Sequence, residues 1–200
     1  MLDAVRKNLE HRGFRVSVFE TAREAGMYLD REIDGKTVGF GGSVTLREMG
    51  LYESLSRHNE VFWHWAIPDG KTATEMRMLG ARAEVYLSSV NGLAETGEII
   101  NIDGTCNRIS AILYGHERVY LVVGRNKIAP DFESALARAR NIAAPKNARR
   151  LGVKTPCAGK ADRCYDCKSE ERICKGLSVL WEKPSLGAYE IVLIDEDLGY

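Results

Sequence analysis

The chain has 200 residues, 44% of them hydrophobic and 28% charged, which fits one domain with a sizeable core and excludes a mainly disordered polymer. Lysine plus arginine number 28 and aspartate plus glutamate 28, so no overall charge excess points to nucleic acid or to a basic partner. The charged opening Met1-Leu-Asp-Ala-Val-Arg-Lys7 lacks a signal-peptide core, and no run of about eighteen apolar residues suggests a membrane span, so the expectation is a cytoplasmic protein.

In chain order, Leu2 to His11 has helical periodicity and Arg15 to Phe19 reads as a strand. Thr21, with Glu24 three positions on, predicts a capping box for a helix reaching about Ile33. Lys36 to Phe40 is a short buried strand, Val44 to Gly50 a helix continued after Leu51, and Val61 to Trp63 another strand. A helix from Thr72 to Ala81 is capped by Thr72 or Thr74. Val85 to Ser89 is a strand, followed by a hairpin-like pair at Gly92-Leu-Ala94 and Ile99 to Ile102, then a helix from Asn107 to Tyr114. Arg118 to Val123, the most apolar strand, is expected to be central and parallel. Asp131 to Ala144 is helical, with Asp131 at its N-cap.

After Pro145 the texture changes to a basic stretch, Lys146 to Arg150, and then a cysteine-rich insertion over residues 155–176. Strands at Leu177 to Trp181 and Ile191 to Ile194 close the chain. The alternation predicts a single α/β domain, a Rossmann-like, mainly parallel sheet with helices on both faces.

Four of the five cysteines fall in Cys157-x6-Cys164-x2-Cys167-x6-Cys174. In a reducing compartment such a cluster suits a metal site better than disulfides. A C-x2-C pair reaches a metal from a tight turn, and the two flanking thiols complete a four-sulfur set. Three readings compete: structural zinc, which usually brings two close pairs; an iron–sulfur cluster, which tolerates the wide x6 arms; and reduced thiols without a metal. Nearby Lys160, Arg163, Lys168 and Arg172 would favour thiolates and offset cluster charge.

Two further motifs suit a small-ligand cleft. Gly41-Gly42-Ser43-Val44-Thr45 joins a strand to a helix and could cradle an anion, although such turns commonly serve only as connections. The stretch from Ser89 to Arg108 gathers Asn91, Glu95, Asp103 and Asn107 between a buried strand and a helix, the place where open α/β sheets bind ligands. Its bland alternative is a hairpin in which Asp103-Gly104-Thr105 merely starts a helix. Trp63-His64-Trp65 reads as strand packing, both tryptophans on one face and His64 on the other. His11, His58 and His116 read as surface residues, and Arg125 and Lys127 could meet an anion after the central strand.

Gly41-Gly-Ser-Val-Thr-Leu-Arg-Glu-Met-Gly50, Asn91-Gly92 through Arg108, and Val122-Val-Gly124-Arg-Asn-Lys-Ile128 together resemble the lactate-utilisation (LUD) domain family over roughly residues 1 to 195. That family includes the lactate-utilisation protein C subunit and many standalone bacterial proteins. The resemblance implies a fold like the NagB/RpiA/CoA-transferase group and a role in oxidising lactate or a similar small hydroxy acid alongside iron–sulfur or dehydrogenase partner subunits. It implies that Ser43, Asn91, Glu95, Asp103, Asn107 and Lys127 line a shared ligand cleft, Glu95 lying where related CoA-transferases use a glutamate, and Gly41, Gly42 and Thr45 of the cradle are expected to join them. It also suggests a cluster, of the 4Fe–4S type rather than zinc, on Cys157, Cys164, Cys167 and Cys174, with electron transfer as the task. The rival roles are a CoA-transferase-like enzyme or anion binder with structural zinc, and a non-catalytic scaffold; membrane and nucleic acid are not expected partners, and self-association into a homo-oligomer is compatible. One departure stands out: Cys106 occupies the position of an expected glycine in Asp-Gly-Thr-Gly-Asn-Arg.

Overall fold

The computed structural model describes residues 2–200. Its elements run α1 (Leu2–His11), β1 (Arg15–Phe19), α2 (Ala22–Glu32), β2 (Thr37–Phe40), α3 (Val44–Glu48), α4 (Leu51–Leu55), β3 (Glu60–Trp63) and α5 (Ala73–Gly80). There follow β4 (Val85–Ser89), β5 (Gly92–Ala94), β6 (Ile99–Asp103), α6 (Asn107–Leu113), β7 (Arg118–Gly124), β8 (Ile128–Ala129) and α7 (Phe132–Arg138). The chain closes with α8 (Ala144–Leu151), α9 (Pro156–Lys160), β9 (Gly176–Leu180) and β10 (Ala188–Ile194). Local chemistry sets several boundaries: Thr21 with Glu24 and Thr72 with Glu75 form reciprocal capping boxes, so Thr72 rather than Thr74 starts α5. Asp131 caps α7 by accepting the Ser134 amide.

Six strands form one sheet in the order β1-β10-β7-β4-β2-β3, every neighbouring pair parallel. The chain's last strand lies between its first strand and β7, so sheet closure waits for the C-terminal segment. Parallel strands buried on both faces need apolar residues at successive positions. In β7, Val119, Leu121 and Val123 join Val5 and Leu9 of α1 and Ile112 of α6 in one core, while Tyr120 and Val122 join Leu29 of α2 and Leu46, Leu51 and Leu55 of α3 and α4 in the other. The expected helices on both faces are present.

A second sheet, β8-β5-β6-β9, was not legible in the sequence. The expected hairpin is its centre, β5 antiparallel to β6, and β9 pairs antiparallel with β6. The helix expected over Asp131 to Ala144 does not end there. Helix continues from α7 through a π-helical segment, Ala139–Ala143, into α8, with Pro145 in the first turn of α8. Proline is tolerated there because the wider π turn already lacks the regular i→i−4 bond that its ring would remove.

Among the described residues, no helix is long and apolar enough to cross a membrane. His116 is buried rather than superficial: its ring stacks on Tyr86 at 4.8 Å and its Nδ1 meets Ala83 O at 2.6 Å. His58 is half-buried between Asp30 and Asp34, which raise its pKa through hydrogen bonds; His11 is exposed as expected.

Candidate functional site

The segments that leave the C-terminal ends of β2, β4 and β7 surround a cavity of about 350 Å³, within the size range of small-ligand sites. Gly42, Ser43, Thr45, Asn91, Asp103, Asn107 and Lys127 all line it. Gly41 lies just behind, its carbonyl accepting the Trp63 indole N–H at 3.2 Å. Three separated sequence motifs therefore meet at one place.

Glu95 does not join them. It stands in the β5–β6 turn, where its carbonyl accepts the Asn8 side-chain amide of α1 at 2.7 Å and its amide donates to Ala129 O at 2.7 Å. The second sheet carries this turn toward α1 and away from the strand ends, so Glu95 is corrected from a cleft residue to a residue of the hairpin turn.

Several side chains in the cleft are already engaged. Ser43 caps α3 by accepting the Leu46 amide. Asp103 Oδ1 accepts the Thr105 amide, and its Oδ2 accepts those of Arg108 and Ile109, so Asp103 starts α6. Arg108 donates to Ser89 O, Ile102 O and the side-chain oxygens of Asn91 and Asn101, tying β4 to β6. Asn91 and Arg108 thus hold the wall in shape, a tertiary role that residue type alone does not reveal.

Lys127 is the exception. Only 4% exposed, it donates from Nζ to Thr45 Oγ1 at 2.8 Å and Ser89 Oγ at 2.7 Å, and among the described residues no carboxylate pairs with it. Burial, reinforced by Arg138 and Arg108, pushes its pKa down to about 7. Arg77 also lines this cavity, and its buried Nε has no hydrogen-bond partner among the described residues.

Sequence reasoning missed the far wall. Arg77, Arg150, Trp65 and His64 all line the cavity. His64 and Trp65 lie beyond the end of β3, so strand alternation does not govern them, and the expected core-packing role for His64 is corrected. Trp65 still stacks on Trp63 at 5.2 Å. The Arg150 guanidinium lies 4.6 Å and that of Arg47 5.5 Å from the Trp65 ring, which joins the basic α8 stretch to this wall. Burial, then Arg77, lowers the His64 pKa to about 4, so its imidazole is neutral near pH 7. With Arg77, Arg108, Lys127 and Arg150 against Asp103, the cavity is basic in a chain of zero net charge.

Cys157, Cys164, Cys167 and Cys174 line a second, smaller pocket with Arg140, Thr155 and Arg172, and none is in a disulfide. Thr155 caps α9, which carries Cys157. The Cys164-x2-Cys167 turn closes through Asp166 in the left-handed region, φ 46°. Cys164 Sγ accepts the Asp166 amide at 3.4 Å and meets the Arg140 guanidinium at 3.7 Å; Cys174 Sγ accepts Arg172 Nε at 3.1 Å. Four thiols around one pocket, two of them with cationic or amide N–H donors on the sulfur, are the donor set a thiolate-held iron–sulfur cluster needs. Among the described residues no three His, Cys, Asp or Glu side chains converge as on a single ion. Of the expected cations only Arg172 reaches the thiols; Lys160 and Arg163 instead lie over the Tyr165 ring. Arg140, from the π-helical segment, was not foreseen.

The two pockets share Ile173 and Ala144. The cysteine loop is therefore a wall of the cleft. Cys106, with φ 63°, occupies the left-handed conformation that glycine adopts freely, which accounts for the glycine expected there.

A family model described as the LUD domain matches residues 2–194. Among solved structures, the crystal structure of a DUF162 family protein from Deinococcus radiodurans is similar, with a TM-score of 0.55 and 12% identity. The match covers 96% of this chain and 95% of that one, and at this identity it shows a shared fold. No curated protein matches the sequence.

Proposed function

Because the chain belongs to the LUD domain family, we propose that it serves the use of lactate or a similar small hydroxy acid as an iron–sulfur protein with an anion-binding cleft. Family membership supports the lactate-related role. The observation that carries the finer reading is the common wall: Ile173, next to Cys174, lines both the basic cleft and the four-thiol pocket. A redox group held there would share a wall with a molecule held in the cleft.

An iron–sulfur cluster on Cys157, Cys164, Cys167 and Cys174 would supply one-electron transfer. The N–H donors from Arg140, Arg172 and the Asp166 amide would hydrogen-bond the sulfurs of a bound cluster. In the cleft, the guanidinium groups of Arg77 and Arg150 provide for a carboxylate, while Arg108 keeps Asn91 and Ile102 in place. The electrons would pass to or from iron–sulfur or dehydrogenase partner subunits in the cytoplasm.

The test is anaerobic purification followed by iron, acid-labile sulfide and zinc analysis. The proposal expects brown protein, bleached by dithionite, with iron and sulfide in equal amounts. Colourless protein containing stoichiometric zinc after anaerobic preparation would overturn the redox reading and leave a structural metal.

A further inference from the structure

Lys127 has a bonding pattern that its neighbours dictate. The Ser89 hydroxyl donates its own proton to Val122 O at 2.6 Å, and the Thr45 hydroxyl donates to Leu198 O at 3.3 Å. Both oxygens are left as acceptors, and Lys127 Nζ donates to each. A neutral amine has two hydrogens and one lone pair. With both hydrogens directed to Thr45 and Ser89, the lone pair is left for the third direction, and Lys127 lines the cavity. An ammonium there would be buried without a carboxylate and beside Arg138 and Arg108, a costly arrangement, and burial brings the neutral form within reach near pH 7. A desolvated neutral lysine facing a cavity is a nucleophile for carbonyl carbon.

We propose that Lys127 captures a small 2-oxo acid as an imine at Nζ, giving the cleft a covalent mode for the keto form of its ligand. The proposal rests on the reading of the cleft as a site for small carboxylates. The Nζ lone pair adds to the keto carbon, the C=O π electrons move to oxygen, and that oxygen is protonated to give a carbinolamine. The C–O bond then breaks, the C=N bond forms, and one water leaves carrying both former amine hydrogens. Hydrolysis reverses the step, and no oxidant or reductant is consumed. Arg77, which lines the same cavity, would take the carboxylate.

The test uses the purified full chain with pyruvate and sodium borohydride, read by intact mass and peptide mapping, and in parallel equilibrium dialysis with labelled pyruvate and lactate. The expected result is one reduced pyruvyl adduct per chain, mapped to Lys127, lost in Lys127→Arg and in Lys127→Met, and absent with lactate, which has no keto carbon to attack. Peptide mapping of the wild-type protein locates the adduct even if a variant fails to fold. Binding of pyruvate and lactate without an adduct at Lys127 would overturn the imine and leave the anion-binding cleft standing. An adduct distributed over surface lysines would also overturn it. Absence of both binding and adduct would overturn the cleft reading together with the imine.

Discussion

Gly104 packs against Ile173 so closely that a Cβ on Gly104 would lie 2.9 Å from the Ile173 carbonyl oxygen. The neighbouring Lys175 amide donates to Asp103 O at 3.0 Å. The turn that starts α6 and the loop that carries Cys174 are thus a single packed unit.

Gly104→Ala should therefore push the cysteine loop off the cleft wall. Overpacking against backbone costs about 1–3 kcal/mol, so a matching loss of stability in urea unfolding is expected, with weaker retention of bound iron. Unchanged stability and iron content would show that the loop docks elsewhere.

Gly176 gives an independent check of the same contact. A Cβ there would lie 2.5 Å from Cys106 Sγ and 2.9 Å from Ile109 Cδ1. Gly176→Ala alone should destabilise by about 1–3 kcal/mol. Cys106→Gly relieves the left-handed side chain and makes room, so in a double-mutant cycle it should recover at least half of that loss. Strict additivity would refute the contact.

The thiols should divide four to one. Cys→Ser at position 157, 164, 167 or 174 is expected to lower iron and sulfide content sharply, while Cys106→Ser leaves both near wild type. Chelation of the bound metal should also lower the thermal midpoint, since the loop's order then rests on its few remaining contacts. Equal loss from Cys106→Ser would mean that a different cysteine set holds the metal.

Stability should depend on pH through Lys127. Its ordinary pKa is 10.5 and its folded value about 7, so between these values the unfolded chain binds a proton that the folded chain does not. Unfolding free energy should rise with pH across that window, at up to about 1.4 kcal/mol per pH unit. Arg138 and Arg108 lower the folded pKa and Glu48 opposes them. Lys127→Met removes the group, so wild type minus variant should rise from pH 7 toward pH 10 in urea titrations. A flat difference would mean that the amine is not desolvated.

His64 should act at lower pH. Its folded pKa of about 4 lies below its ordinary 6.5, so its contribution is complete above about pH 6.5 and is lost as pH falls toward 4. Because the ring keeps some solvent contact, the effect is discounted to roughly 1–2 kcal/mol. His64→Gln should flatten acid unfolding over that interval, and NMR titration of the imidazole reads the pKa directly.

Local chemistry made much of the fold legible. The Thr21–Glu24 box, the Asp131 cap and the apolar run of β7 are short-range signals that mark an element's start or burial. Pro145 misled because the preceding π turn had already changed the backbone bonding, which no residue type announces. His116 misled because its neighbours, Tyr86 and Ala83, come from another part of the chain. The cleft was half legible: its glycine and Asn-Asp motifs sit where strand ends gather ligands. Arg77 and Arg150 were not, because each is an ordinary helical arginine until the fold turns it inward.

The sequence by itself determined the parallel α/β architecture, the family and the clustering of four cysteines, because periodicity, caps and spacing act over a few residues. Only the tertiary structure decided that Glu95 leaves the cleft, that Arg77 and Arg150 enter it, and that Ile173 joins it to the cysteine pocket. It also decided the surroundings of Lys127. Charge on a lysine is set by the solvent and dipoles around it, and here those are two hydroxyls, Thr45 and Ser89, delivered by distant strands and helices.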